Sequence, residues 1–372
     1  MRVAFFIKRA SRTGSEIVLS NLIRYGVANG LEAFVACEKG GAILSELPTG
    51  VPVTVYDDWQ SMQRTYAGVM RRLRGDANGF TSYIDARYKP DIWYVNTIIQ
   101  PYIVMEAQRK NVRCVLHSHE LEQMLAHLTE EEAAALTSYP QLILTGSEAA
   151  RQVLRSLGRE TDIHVCYDNI DPERIRFDSD TSLKLRRQLG VSAKTFVWAM
   201  AGTLDPNKNP ARFVSIAVEL LRRGQDVHFI WLGGFDSGYS LYVKQMVRNS
   251  GFAENVTFLG PLTDDYYDWL NVANGLVLTS FKDCFPLVMI EAAYLGKPIV
   301  SFNSGGVKEF IREGMGMVVD SWNDDDLINA MLRVMSGDIR FDPAVAKSRA
   351  AEFSVEAQGK RWLELLTTYF AG

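Results

Sequence analysis

Asp283 and Glu291 stand with seven residues between them in a run that is otherwise apolar, "FPLVMIEAAYLG". Pro286 suits the first turn of a helix, which puts Glu291 about one turn into it, where a carboxylate among Leu287, Val288, Met289 and Ile290 needs a partner. The ordinary roles are a helix cap for Asp283 and an internal salt bridge or a snorkelling side chain for Glu291. Two acids at this spacing, followed by a β-branched strand and then Gly305-Gly306, point instead to sugar or ribose hydroxyls, because glycines let a ligand approach the backbone. In a second turn, "AGTLDPNKNPARF", Lys208 lies beside Asn209-Pro210, a cap and a first helical position. An ammonium next to unsatisfied backbone N–H groups is poor electrostatics alone and good electrostatics once a phosphate sits between them. The plain alternative is a solvated surface lysine. His117 and His119, in "VLHSHELEQ", end a strand, and strand alternation points both to one face, so the choice between them stays open. A structural histidine bonded to backbone is the competing role.

These residues must be positioned by the short apolar runs that alternate with amphipathic segments along the chain, the pattern of parallel strands joined by helical crossovers. The first series reads "VAFFI", "EAFVAC", "IWYVN", "VRCVLH", "LILTG" and "DIHVCYD"; the second reads "TFVWAMAG", "VHFIWLGG", "VTFLG", "GLVLTS", "PIVSF" and "GMVVD". Between them "PERIRFDSDTSLKLRRQLGVSAK" is charged and strand-free. The expected division is therefore an α/β domain at 1–171, a linker at 172–194 and a second α/β domain at 195–353. Ser354 can cap a last helix, 354–372, whose stripe of Val355, Trp362, Leu366 and Tyr369 is expected to dock back on the N-terminal domain. Open parallel sheets bind ligands at the carboxyl ends of their strands, and two facing sheets make a cleft.

Composition narrows the classes further. A chain of 372 residues, 47% hydrophobic, exceeds what one core usually supports. Lys+Arg number 40 against 44 Asp+Glu, with no long basic run, so nucleic acid is not an expected partner. Cys37, Cys114, Cys166 and Cys284 have no Cys-x-x-Cys spacing, which argues against a zinc site or a disulfide framework and fits a reducing cytoplasm. The apolar start Val3 to Ile7 is cut off by Lys8 and Arg9 and reads as a strand rather than a signal sequence. No apolar run approaches the roughly 18 residues of a membrane span. The acids of "NDDDL", 323–327, read as helix caps rather than metal ligands. The cluster "RRLR", Arg71 to Arg74, reads as a solvated helix face, with an anionic membrane surface or an acceptor phosphate as the alternative.

The ordered set of motifs resembles the retaining glycosyltransferases of family 4, whose GT-B fold has two facing doubly wound parallel-sheet domains and an interdomain cleft. Asp283 and Glu291 match the two ends of that family's acid, seven residues, acid pattern, and "GKPIV" and "GGVKEF" follow as they do there. "GTLDPNK" resembles its glycine, arginine, four variable residues, lysine turn, with Gly202 and Lys208 matching. "RTGSEIVLSNL", "HSHE", "GSEAAR", "DNID" and "VTFLG" extend the similarity over nearly the whole chain. The resemblance implies transfer of a hexose from a nucleotide diphosphate sugar, UDP-sugar favoured over GDP-sugar, to a hydroxyl of a glycan or glycolipid, with retention and in polysaccharide or glycolipid synthesis. It implies Lys208, Gly202 and Thr203 at the diphosphate, and Asp283 with the backbone around Phe285, Leu287 and Val288 at the donor sugar. Glu291 would hold the ribose, His119 the sugar near its 6-hydroxyl, and Gly14 with Ser15 the turn where acceptor and donor phosphate approach. No metal and no cofactor beyond the donor is implied. The location implied is cytoplasmic, with peripheral contact at the inner face of a membrane left open; oligomeric state leaves no trace.

Three positions depart from the family pattern. Thr203 stands where arginine is usual, Asp283 is shorter than the usual glutamate, and Pro286 replaces a common glycine and removes an N–H. Two other readings remain beside the transferase: a nucleotide-sugar epimerase or dinucleotide-dependent oxidoreductase, and a nucleotide-sugar-binding protein without catalysis, which Thr203 keeps open. The oxidoreductase lacks a Gly-x-Gly-x-x-Gly after either leading strand.

Overall fold

In a computed structural model that describes residues 1–57, 79–234 and 238–370, the apolar runs form two sheets in which the named strands all pair in parallel. The chain divides into one unit of Met1–Asn169 with Val355–Gly372 and a second of Ile170–Ser354. The first unit holds β1 (Arg2–Arg9), β2 (Glu32–Lys39), β3 (Val53–Val55), β4 (Ile92–Val95), β5 (Cys114–Ser118), β6 (Leu142–Thr145) and β7 (Ile163–Val165), in the order β3-β2-β1-β4-β5-β6-β7. The second holds β8 (Phe196–Ala201), β9 (Val227–Leu232), β10 (Val256–Gly260), β11 (Gly275–Leu278), β12 (Ile299–Phe302) and β13 (Gly316–Val319), in the order β10-β9-β8-β11-β12-β13. Strands covered by helices on both faces read as continuous apolar runs; "VHFIWL" of β9 and "GLVL" of β11 are buried at every position. Strand order reverses between β1 and β4 and again between β8 and β11, which creates a crevice at the carboxyl ends of each pair.

β3 was not among the expected strands. Its residues are half-exposed at a sheet edge, and Pro52 just before it interrupts the apolar pattern. The charged stretch 172–194 holds no strand, but it belongs to the second unit and carries the helix Ser179–Gln188. Asp178 caps that helix, and Arg186 fixes it by donating to the carbonyls of Val272, Ser192 and Thr195 at 3.0, 3.0 and 2.8 Å. The chain thus passes from the first unit to the second between Asn169 and Ile170, ahead of the charged stretch.

The helix Val355–Phe370 packs within the first unit on the helix Gly14–Ala28. Two glycines allow the close approach: a Cβ on Gly26 would meet the Trp362 ring at 3.0 Å, and one on Gly359 would meet Tyr25 at 2.7 Å. Trp362 is fully buried against Phe5 and Tyr94, and its Nε1 donates to Tyr94 Oη at 3.2 Å. Val355 and Leu366 of the stripe are also buried, while Tyr369 is half-exposed and donates to Asp162 at 2.8 Å. No described helix is long and apolar enough to cross a membrane. The cluster from Arg71 to Arg74 lies outside the described residues. All four cysteines are buried and unbridged.

Two stability predictions follow from this packing. Trp362→Ala removes a fully buried ring and a hydrogen bond, and should cost about 3–5 kcal/mol in urea unfolding. His228, buried on β9 with Nε2 2.9 Å from Thr257 Oγ1, is pushed down to about 4 by burial first and then by the Arg186 charge. Its folded value lies below its ordinary 6.5, so the unfolded chain binds the extra proton and this contribution is full above 6.5 and lost as pH falls toward 4. His228→Gln should therefore flatten the decline of stability across that window, as measured by unfolding midpoints at a series of pH values.

Candidate active site

At the carboxyl end of β8 the backbone of Gly202 takes a φ of 151°, and the Lys208 side chain passes directly over it. A Cβ on Gly202 would stand 3.3 Å from Cγ, Cδ and Cε of Lys208, so the glycine and the lysine of this turn are one steric unit. Asp205 closes the turn by accepting from the backbone N–H groups of Asn207 and Lys208 at 2.8 and 3.0 Å. Thr203 donates its hydroxyl to the other Asp205 oxygen, which assigns it to the turn's own framework. Asn209, at a left-handed φ of 56°, caps the helix Pro210–Arg222 by accepting from Arg212 N–H.

The turn after β11 is tied to this one. Asn207 donates to the Lys282 carbonyl at 2.7 Å and accepts from its N–H at 3.2 Å, and Phe281 N–H reaches the Asn207 carbonyl at 2.7 Å. The result is an ion pair: Lys208 Nζ lies 2.5 Å from Asp283 Oδ2, which also accepts from Ser280 Oγ at 3.0 Å. Asp283 does not cap the following helix. Leu287–Tyr294 begins after Pro286, which offers no side-chain cap, so the carboxylate is held for the lysine and not for the helix. The backbone of Asp283 is in turn bonded to Ser304 and Gly306, with Gly305 at a φ of 140°. The glycine pair, the acid and the lysine predicted from separate stretches are brought together here.

Phe285 packs its ring against Phe310 and Phe353, with centroids 6.0 and 5.1 Å away, so its side chain belongs to the core. Leu287 and Val288 occupy the first helical turn, whose N–H groups have no partner within the helix. Glu291 is 5% exposed and accepts from Tyr266 Oη at 2.8 Å and from Tyr267 Oη at 3.1 Å, one phenol to each carboxylate oxygen. That clamp was not among the roles considered from sequence. The tyrosines come from the helix Tyr266–Val272, and no local pattern linked them to Glu291.

In the first unit, Gly14 and Ser15 open the helix after β1, and the Ser15 carbonyl accepts from Asn96 Nδ2 at 3.3 Å. Asn96 follows β4 and its Oδ1 lies 3.3 Å from His119 Nε2, while His119 Nδ1 lies 2.9 Å from Asp168 Oδ1. His117 is sealed in the core: its Nδ1 is 2.6 Å from Tyr94 Oη, and its ring is 4.1 Å from that of His119. The structure therefore separates the two histidines that strand alternation left equivalent. Burial pulls His119 down, but Asp168, then Glu120 and Glu16, outweigh it and raise its affinity for a proton; burial and the neighbouring His119 hold His117 well below the usual range. Burial also raises Glu16, against the hydrogen bonds from Thr13 and Ser15. Asn96 ends the run "IWYVN", Glu120 lies in "HSHE" and Asp168 opens "DNID", but nothing in those separate stretches links the three to one histidine.

The acids of "NDDDL" act as helix-end groups. Asn323 caps the helix Asp324–Ser336, Asp324 pairs with Arg212, and Asp325 with Arg223 at 2.6 Å. Gly202→Ala should cost about 1–3 kcal/mol because it forces a side chain into a glycine conformation beside the lysine stem. Urea denaturation checks the figure, with Thr203→Ala as a milder comparison.

Comparison with known proteins bears on the family and the fold. A family model described as "Glycosyltransferase Family 4" matches residues 12–174, and one described as "Glycosyl transferases group 1" matches residues 182–351. A D-inositol 3-phosphate glycosyltransferase of Rhodococcus opacus is 28% identical over 241 residues, 62% of this chain and 52% of that protein. The chain spans about half the length of the curated relatives it matches. Among solved structures, Anabaena Alr3699/HepE in complex with UDP and glucose aligns over 99% of this chain and 100% of its own, with a TM-score of 0.83 and 20% identity. Sucrose-phosphate synthase of Thermosynechococcus elongatus aligns over 99% of each chain, with a TM-score of 0.77 and 17% identity. With one family model on each sheet unit and the fold shared over the full length of the chain, the protein belongs to glycosyltransferase family 4 and has the GT-B fold.

Proposed function

We propose that this chain is a retaining hexosyltransferase that takes its sugar from a nucleotide diphosphate donor, UDP-sugar before GDP-sugar, and delivers it to a hydroxyl of a glycan or glycolipid. The observation that carries the reading is the Lys208 ammonium, laid over Gly202 and paired with Asp283 at the switch point of the second sheet. A diphosphate arriving there meets a positive charge and the open N–H groups of a helix start. An ammonium and a phosphate charge about 4 Å apart interact by roughly 4 kcal/mol at an effective dielectric of about 20. The choice of UDP is supported by the neighbouring fold solved with UDP and with UDP-glucose.

In this mechanism Lys208 and the first-turn N–H groups at Leu287 and Val288 stabilise charge on the departing diphosphate as the glycosidic bond breaks. Asp283, released in part from Lys208, accepts from donor-sugar hydroxyls, and Glu291, its plane fixed by Tyr266 and Tyr267, accepts from the ribose. His119, with Gly14 and Ser15 near it, serves the sugar and the acceptor. Both acids of the second unit are already engaged, Asp283 by Lys208 and Ser280 and Glu291 by two phenols. That favours same-face attack assisted by the leaving phosphate over a covalent intermediate on a carboxylate. The proposed chemistry calls on the donor alone, with no resident metal or cofactor.

A donor-binding protein without turnover is the second reading. Thr203, bonded to Asp205, leaves the turn with one cation where the family has two. Labelled UDP- and GDP-sugars separate the readings: released nucleotide with a transferred sugar marks the transferase, a bound and unchanged donor marks the silent protein, and epimers without nucleotide release mark an epimerase. Lys208→Ala should lower transfer by about 10²–10³ while its partly exposed ion pair contributes little to the folding midpoint. A folded variant that transfers sugar as fast as the parent contradicts the assignment.

A further inference from the structure

We infer that Asp168 is a positioning residue that holds His119 as a doubly protonated imidazolium, so that His119 meets an incoming oxygen as a donor and a fixed positive charge. The inference rests on the functional reading above only for what that oxygen belongs to, a sugar hydroxyl or a phosphate. The proton positions follow from the hydrogen bonds. Asn96 donates its amide to the Ser15 carbonyl at 3.3 Å, which fixes the amide orientation and turns Oδ1, an acceptor only, toward His119 Nε2 at 3.3 Å. Nε2 therefore carries a proton. The Asp168 carboxylate is likewise an acceptor, 2.9 Å from Nδ1, so the second nitrogen carries one too.

His117, whose ring lies 4.1 Å from that of His119, must then be neutral, because two adjacent buried cations repel. Its own hydrogen bonds agree. Trp362 Nε1 donates to Tyr94 Oη, which directs the phenol proton to His117 Nδ1 at 2.6 Å and makes that nitrogen the acceptor. The other nitrogen of His117 faces the Cys166 carbonyl without forming a well-shaped hydrogen bond. The titratable groups around His119 are Asp168 after β7, Glu120 beside it, Glu16 from the helix Gly14–Ala28 and His117 on its own strand; beyond these lie Tyr94 and Cys166, whose thiol burial pushes up to about 12. The carboxylates outnumber the cation, and burial raises Glu16. The bond to Asn96 is long, so an incoming oxygen can share the Nε2 proton while Asp168 keeps the ring in place.

Nitrogen-15 spectra of the full chain labelled at histidine test this without any substrate, with His119→Gln assigning the signal. At neutral pH the parent should show both His119 nitrogens protonated, and Asp168→Asn, which keeps the acceptor oxygen and removes the charge, should leave one. A neutral His119 in the parent overturns the inference even if Asp168→Asn fails to fold, and an imidazolium that survives in a folded Asp168→Asn overturns the role of Asp168. A fall of one pH unit in the His119 midpoint removes about nine-tenths of the cation on the alkaline side. Donor kcat/KM of Asp168→Asn should then fall about tenfold there and recover as pH is lowered; an equal loss at every pH would mark a merely structural residue and overturn the proposal. If the spectra show the imidazolium and the parent transfers no sugar, the functional reading fails and the Asp168–His119 assignment stands.

Discussion

An ammonium and a carboxylate 2.5 Å apart, carried by residues 75 positions apart in sequence, fix the architecture of the second unit's loops. Lys208 can reach Asp283 only because Gly202 has no side chain, because Asp205 tightens the turn between them, and because Asn207 laces that turn to the one after β11. Both turns stand at the carboxyl ends of the two strands between which the sheet order reverses. Topology thus chooses the place, and the hydrogen bonds of the turns choose the distance. A pair that is partly exposed adds little to stability. In the proposed function its value lies in preorganisation: the cation is already in place before the donor diphosphate arrives.

The first unit solves a different problem with related means. Two imidazoles with centroids 4.1 Å apart would repel if both were charged, and the fold prevents this by giving them unlike partners. His117 faces Tyr94, which the Trp362 indole from the C-terminal helix holds by its oxygen, whereas His119 faces Asp168 and Asn96. Packing of the last helix and the protonation of a residue near the first turn are therefore linked through three hydrogen-bonded side chains. Glu291 in the second unit shows the same economy, with one phenol on each of its oxygens to set the plane of a buried carboxylate.

Much of this was legible in the residues. Strands buried on both faces write continuous apolar runs, and "VTFLG" is β10 to the residue. The edge strand β3 left no such run, because half of its surface faces water and Pro52 precedes it. The helix Ser179–Gln188 was hidden by its charge, since its anchoring depends on Arg186 reaching carbonyls of other segments. Glu291 stood out against an apolar run, Asp283 by its spacing to Glu291, and Lys208 by its place beside a helix start. Tyr266 and Tyr267, the partners of Glu291, did not, and although Asp168 opens "DNID" and Asn96 ends "IWYVN", only the crossing of distant segments makes those two neighbours of His119. The two histidines share a strand face, so alternation could not rank them, and the difference appears only in what each ring touches.

The central claim is that the lysine, the clamped glutamate and the helix start form one nucleotide diphosphate site. A crystal of the full chain soaked with UDP tests it most directly. The account predicts the diphosphate against Lys208 Nζ and the first-turn N–H groups of Leu287–Tyr294, with the ribose hydroxyls on Glu291. Nucleotide bound away from Lys208, or density that places the ribose out of reach of Glu291, would contradict it.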